Sequence, residues 1–447
     1  MKNVWAIAHG ILTVIAASGI LSAADHVENS TWPGFRGRGD GHAVNRPLPV
    51  AWELRNRTAG SWTIRLPGYG QSSPVVWGDQ VFVTAVSGEK KEHLHVLAVG
   101  VADGKTRWQR DFAATQLVPD GDTVSRGAPT PVADADRLYV VFESGDVVAL
   151  THAGEIVWQR SIVKDYGEFK GPHGYASSPA LSADRLILQV AHSGPSYVLA
   201  INPKTGENHW KVDHPAQTGW STPAIYHHAG IDGVIVSSSG SVRAYSLIDG
   251  HELWLVTGVV GNSTASPTVS DDVVIIGCSG DREGAGRTPR AGPPSTPPAS
   301  SRPAPDPAQA GSLAIRLGGS GDVTATHVVW KSPKVTSGYA SPVVAGGLAY
   351  FVNRVGGVQA VNVANGEILW QQRLPGSAWA SPVLADGKLF FFCKDGAVIV
   401  LQAGAVLSEV GENTISATDV IYGVAADDHA WLVRTGRGLI RIANPVQ

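Results

Sequence analysis

Six short stretches carry polar or aromatic side chains just ahead of a small-residue step into proline: RGAPTP with Arg126, GPHGYASSP with His173 and Tyr175, TGWSTP with Trp220, GNSTASP with Asn262, SGYASP with Tyr339 and SAWASP with Trp379. A guanidinium, an imidazole, an amide and flat rings gathered at one opening would make a recognition surface. They supply stacking and hydrogen bonds but no activated nucleophile. A second reading of the same residues is structural, with the rings plugging a channel or packing between neighbouring units. His173 alone reads as a loop hydrogen-bonder. No His/Cys/Asp cluster has metal-ligand spacing, and neither a nucleophile motif nor a phosphate-cradling loop is visible. Carboxylates such as Asp165, Glu168 and Asp213 are scattered and read as solvated loop charge.

The elements that must position these residues repeat. The proline step opens SSPVVWGDQVFVTA at Ser72, PTPVADADRLYVVF at Pro129, SSPALSADRLILQV at Ser177, STPAIYHHAGIDGVIV at Ser221, ASPTVSDDVVIIG at Ala265, ASPVVAGGLAYFV at Ala340 and ASPVLADGKLFFF at Ala380. An eighth copy, without the proline, fits YGVAADDHAWLVR from Tyr422. Each copy divides into four short β stretches, and the middle ones are apolar at nearly every position, so both faces of each small sheet are covered. Units of ~40 residues with four strands stacked about an axis are the propeller signature. The sequence therefore predicts an all-β, eight-bladed β-propeller of four-stranded antiparallel blades.

A glycine stands four residues before a tryptophan at Gly104/Trp108, Gly154/Trp158, Gly206/Trp210, Gly250/Trp254 and Gly366/Trp370. The glycine permits the positive φ of a tight turn into the outermost strand, and the indole can cover the gap between blades. Trp330 keeps the position after a longer turn. Trp62 stands twelve residues before Pro74, as Trp330 does before Pro342 and Trp370 before Pro382. WTIRLPG thus reads as a fourth strand without its first three, while the copy from Tyr422 has three strands and no fourth. The N-terminal strand is expected to complete the last blade, leaving no exposed sheet edge at the junction.

The chain has 447 residues, 52 of them glycine, and a net charge of −3. It shows no basic stripe, so a nucleic-acid partner is not expected. Residues 1–24 read as a signal peptide, with Lys2, an apolar run over 11–21 and small residues before Asp25. That predicts an exported, periplasmic or secreted protein with no span in its mature chain. Residues 25–60 form an extended lead-in and 61–447 the propeller. Residues 281–310, proline-rich and nearly free of apolar side chains, read as a disordered surface insertion or a docking peptide. Cys278 and Cys393 each stand eleven residues after their copy's proline, on the fifth and seventh blades. Facing sheets lie ~10 Å apart, beyond disulfide reach, which predicts two buried free thiols.

The stretch Ala200-Ile-Asn202-Pro-Lys-Thr205-Gly206-Glu-Asn-His-Trp210 resembles the tryptophan-docking motif of quinoprotein dehydrogenases, and Ala360 to Trp370 is a looser copy. From Trp32 onward the chain is similar to the bacterial PQQ-like eight-bladed propellers, a group that includes the outer-membrane assembly scaffold BamB. Trp32-Pro33-Gly34-Phe35-Arg36-Gly37 and Asp40-Gly41 resemble the start of exported members. The resemblance implies one of two functions. The first is a non-catalytic scaffold, expected to be monomeric, that presents its channel mouth to an envelope protein or small ligand. The second is a dehydrogenase holding pyrroloquinoline quinone over calcium against an adjacent-cysteine disulfide, which Cys278 and Cys393 cannot form. No residues are assigned to a metal or a cofactor, and the scaffold is the expectation carried forward.

Overall fold

The computed structural model describes residues 31–43, 46–52, 60–118, 121, 124–171, 173–182, 184–280, 310–417 and 419–444. The leader and all of the proline-rich insertion except Ala310 lie outside the described residues. Eight antiparallel sheets follow one another along the chain. Their first and last strands are Val75–Trp77 and Thr106–Ala113 in blade 1, Val132–Ala133 and Ile156–Ser161 in blade 2, and Ala180–Ser182 and Asn208–Asp213 in blade 3. Blades 4 to 6 run from Ala224–His228 to Glu252–Val259, Thr268–Ser270 to Val328–Ser332, and Val343–Ala345 to Ile368–Arg373. Blade 7 runs from Val383–Ala385 to Glu409–Thr414 and blade 8 starts at Ile421–Ala426. The fourth strand of blade 8 is Trp62–Arg65, with Trp62 opposite Arg441 and Arg65 opposite Gly438. The first strand of blade 8 lies against that of blade 1, which closes the ring.

The apolar middle strands follow from this stacking. Side chains alternate across a strand, and here each face meets a neighbouring blade. Val81 and Val83 join the core shared with blade 8, while Phe82 between them joins Leu138, Val140 and Phe142 of blade 2.

Each docking tryptophan reaches the next blade. The indole Nε1 donates from Trp62 to the Val101 carbonyl at 2.8 Å, from Trp108 to His152 at 2.8 Å, from Trp158 to Pro203 at 2.9 Å and from Trp210 to Leu247 at 3.0 Å. Trp330 and Trp370 make the same bond to Val363 and Gly404 at 2.7 and 2.9 Å. The indole lies flat on the turn glycine of that next blade: a Cβ built on Gly154 (φ +82°) would meet Trp108 at 2.6 Å, and one on Gly104 would meet Trp62 at 2.8 Å. Glycine is thus required twice, for the turn and for the room. Across the sheet every one of these indoles except Trp62, which faces Arg441, pairs with an alanine, as Ala98 with Trp108 and Ala200 with Trp210, and a bulge follows at once. Trp254 differs because the longer turn of blade 5 doubles back, and Gly321–Asp322 pairs in parallel with Trp254 and Leu255.

The proline step forms a second belt nearer the axis. The backbone amide before each proline donates to the hydroxyl of the equivalent residue one blade on: Ser73 to Thr130 and Thr130 to Ser178 at 2.9 Å, Ser178 to Thr222 at 3.2 Å, Thr222 to Ser266 and Ser266 to Ser341 at 2.9 Å, and Ser341 to Ser381 at 3.0 Å. At the eighth position Gly423 has no hydroxyl, and a Cβ there would meet Ser73 Oγ at 2.2 Å.

The lead-in enters the ring. Thr31–Trp32 pairs antiparallel with the innermost strand of blade 1, and His42–Ala43 pairs in parallel with that of blade 7. Between them the Pro33 carbonyl accepts from the Ala133 amide of blade 2 at 2.7 Å. Arg36 donates to Thr268 Oγ1 of blade 5 at 3.0 Å and to the Pro342 carbonyl of blade 6. Residues 31–43 therefore plug the channel. The segment then leaves across blades 7 and 8, where the Pro49 carbonyl accepts from Trp431 at 2.9 Å. Trp52 donates to Asn413 and Thr414 beside Gly411, which stands where the other blades carry tryptophan.

Candidate functional site at the channel mouth

The loops entering the innermost strands meet on one face, and they bring most of the expected residues together. Tyr339 and Trp379 have ring centroids 5.0 Å apart, Trp379 and Tyr422 5.4 Å, and Tyr422 and Tyr69 6.0 Å, giving an unbroken aromatic arc over blades 6, 7, 8 and 1. Arginines cap both ends. Arg354 lies over the Tyr339 ring at 4.6 Å and donates to its hydroxyl at 2.7 Å, while Arg126 and Arg437 lie over Tyr69 at 4.9 and 5.7 Å. Across the opening His173 meets Trp220 edge-on at 5.5 Å, and the Trp220 indole donates to the Gly174 carbonyl at 2.8 Å.

Two expected residues are not brought to the opening. Tyr175 is 1% exposed and stacks on Phe169 inside blades 2 and 3. Asn262 is fully buried, its amide donating to Ser237 Oγ and to the Ser238 and Ser241 carbonyls, each at 2.9 Å. Tyr69 and Tyr422 were not singled out from sequence. Tyr69 offered a signal, standing five residues before Pro74 as Arg126 does before Pro131. Tyr422 belongs to the copy without a proline.

Buried polar groups hold the arc in place. Lys91 Nζ donates to the Ser125 carbonyl at 2.5 Å and lies 3.8 Å from Glu143, whose Oε1 accepts from the Gly127 amide at 2.8 Å. This pair fixes the two ends of the Arg126 loop. Behind Tyr69, Arg434 is fully buried and donates to the Thr84 carbonyl at 3.1 Å, and burial pushes its pKa down to about 9. Burial, then the 2.7 Å hydroxyl contact with Tyr422, raises the Tyr69 pKa, so the phenol stays neutral. The mouth thus carries arginine charge on a neutral aromatic surface.

The plug divides the space below. A cavity of about 450 Å³ lies between it and the innermost strands of blades 1 to 5, and one of about 90 Å³ lies between Trp32, Phe35, Arg36 and the aromatic arc. Cys278 and Cys393 are free and buried in the cores of different blades, and burial pushes their thiols up to about 12 and about 11. Among the described residues no group of three His, Cys, Asp or Glu side chains could hold a metal ion, and no helix is long and apolar enough to cross a membrane.

Repeats, docking indoles and closure together define a PQQ-like eight-bladed propeller. The sequence profile described as outer membrane protein assembly factor BamB matches residues 59–194, 153–294 and 297–437, and the chain belongs to that family. A curated relative, outer membrane protein assembly factor BamB of Shewanella oneidensis, is 23% identical over 219 residues, covering 48% of this chain and 50% of its own length. The chain thus spans about half the length of that relative. Among solved structures, BamB from Moraxella catarrhalis superposes with a TM-score of 0.57 at 13% identity, covering 86% of this chain and 98% of the other. A europium-containing methanol dehydrogenase superposes at 0.64 and 11% identity over 92% and 90%. At such identities these likenesses concern the fold.

Proposed function

We propose that the protein is a non-catalytic scaffold of the cell envelope that holds a protein of outer-membrane assembly against its channel mouth. The observation that carries this reading is the arginine-capped arc Arg354–Tyr339–Trp379–Tyr422–Tyr69–Arg126, presented by a ring whose channel is plugged by its own chain. Aromatic and arginine side chains carry most of the energy of protein interfaces. Family membership supports the envelope setting.

The quinone alternative finds little to hold it. Its disulfide would need adjacent cysteines where Cys278 and Cys393 lie in separate blades, and residues 31–43 fill the centre of the ring. No catalytic step is assigned. Added pyrroloquinoline quinone and Ca²⁺ should give no dye-linked oxidation of alcohols or sugars, and turnover would favour the alternative.

The scaffold reading is tested with Trp220→Ala/Trp379→Ala in affinity capture from the envelope fraction, with Trp210→Ala as control. Truncated anchors cost about 2 kcal/mol or more each, so partner affinity should fall roughly 30-fold for each anchor removed and about 700-fold for the pair if the two act independently. Trp210→Ala removes an interblade indole and should cost about 3–5 kcal/mol of stability, with capture per folded molecule kept. Loss of stability in the double variant with capture unchanged would overturn the reading.

A further inference from the structure

The lead-in meets the inner edge of the ring at one recurring position, the third residue after the belt residue of each blade. Trp32 stands opposite Val76 in blade 1, and the Ala133 amide of blade 2 donates to the Pro33 carbonyl at 2.7 Å. In blade 6 the Val344 carbonyl accepts from His42 Nε2 at 2.8 Å, and in blade 7 the Leu384 amide donates to the Gly41 carbonyl at 2.9 Å. The Ala426 carbonyl of blade 8 accepts from Arg46. The equivalent residues of blades 3, 4 and 5 are Leu181, Ile225 and Val269. Ser182, His228 and Ser270 close the first hairpins of these blades opposite Arg185, Ile231 and Val273, so by strand alternation the N–H and C=O of Leu181, Ile225 and Val269 point away from the ladder, toward the axis. Among the described residues no hydrogen bond reaches these backbone groups. All three residues are partly exposed, and all three line the cavity of about 450 Å³, which also reaches the exposed Arg38 and Gly39 of the plug.

We propose that this cavity binds an extended, uncharged peptide segment of a few residues, which bonds to the inner edges of blades 3 to 5 as the lead-in bonds to those of the other five. Unpaired N–H and C=O groups along a sheet edge are a template for another backbone, because a peptide offers both partners in alternation. The volume falls within the roughly 300–1,000 Å³ of ordinary ligand sites. Phe35, Trp77 and Val132 supply apolar wall for side chains. The carboxylates that line it are already engaged, Asp134 by the Tyr139 hydroxyl at 2.9 Å and the Arg137 amide at 2.8 Å, and Asp40 by the His42 amide at 3.0 Å. Arg38 stands at the exposed rim, so the interior suits an uncharged segment. The site lies apart from the aromatic arc and does not depend on the scaffold reading.

A tetrapeptide of alternating valine and threonine, blocked at both ends, is titrated into the full chain by calorimetry beside the same peptide N-methylated at its amides. One saturable site is expected for the first and none for the second, because methylation removes the backbone donors and keeps the side chains. Hydrogen exchange supplies a second readout. The amides of Leu181, Ile225 and Val269 should exchange fast in the free protein and slowly with peptide, while those of Ala133 and Leu384, bonded to the plug, stay slow in both. Ile225→Pro removes one N–H that the ladder does not use, at the kind of edge position where proline is tolerated, so affinity should weaken about fivefold. Should that variant fail to fold, the methylated peptide and the exchange rates carry the test. Absence of saturation, equal binding of the methylated peptide, unchanged affinity in a folded Ile225→Pro, or slow exchange at the three amides without peptide, as when the chain's own residues fill the cavity, would each overturn the proposal.

Discussion

Gly154 shows how one residue can serve two structural needs, and the two can be separated. Gly154→Ala places a Cβ at φ +82° and 2.6 Å from Trp108, whereas Gly230→Ala has nearly the same φ, +79°, and nothing within 4 Å. The conformational cost alone is about 1–2 kcal/mol, and overpacking adds about 1–3 kcal/mol. Chemical denaturation should therefore show Gly154→Ala losing about 2–5 kcal/mol and Gly230→Ala no more than about 2 kcal/mol. Equal losses would mean that the indole gives way. His192 makes a second prediction. Stacked on Phe169 at 4.7 Å and buried, it has its pKa pushed down to about 4. Between pH 6.5 and about 4 the unfolded chain then binds more protons, so stability falls as pH falls. The loss due to this ring is about 2 kcal/mol at pH 5, and His192→Phe should shrink the drop in melting temperature between pH 7 and pH 5. His214, also pushed down to about 4 by burial, keeps part of it. The Gly–Trp pairs were legible in sequence because turn and indole lie on one strand connection. Tyr175 and Asn262 stand in the same stretch ahead of the proline as the mouth residues, and a place in that stretch does not report which way a side chain points.

At the scale of elements, the hydroxyl belt explains the small residue before proline. Ser266→Ala removes the acceptor of the Thr222 amide, and an orphaned buried amide costs about 1–3 kcal/mol. Hydrogen exchange at Thr222 should speed up, while amides in the outer strand Asn208–Asp213 keep their protection. Gly423→Ser would not complete the belt, since its Cβ would collide with Ser73 Oγ, and should destabilise by more than Ser266→Ala. Blade number, strand order and closure were legible because each rests on a repeated pattern. The plug was not. Its pairings with blades 1 and 7 are two residues each, too short for any period, and they depend on partners more than 40 and 340 residues away. The arc was half legible for the same reason: Tyr339 and Trp379 sit in regular copies, Tyr422 in the irregular one.

At the scale of the whole molecule, the two thiols report on cooperativity. Cys278 and Cys393 lie in the cores of blades 5 and 7, so a thiol reagent should find neither in the native protein and both after denaturation. If the ring unfolds as one unit, both should be labelled at one rate near the midpoint, and a fast Cys278 with a slow Cys393 would mean that blades open separately. Closure also sets an order in time. Trp62–Arg65 is made well before its partner Gly438–Ala443, and the plug must meet Val383–Ala385 as well. Seven blades can form beforehand with two unmatched edges facing each other. A strand made ahead of all seven of those blades is used only after them, and until it is used the nearly finished ring is an open sheet edge exposed to any other chain that can pair with it.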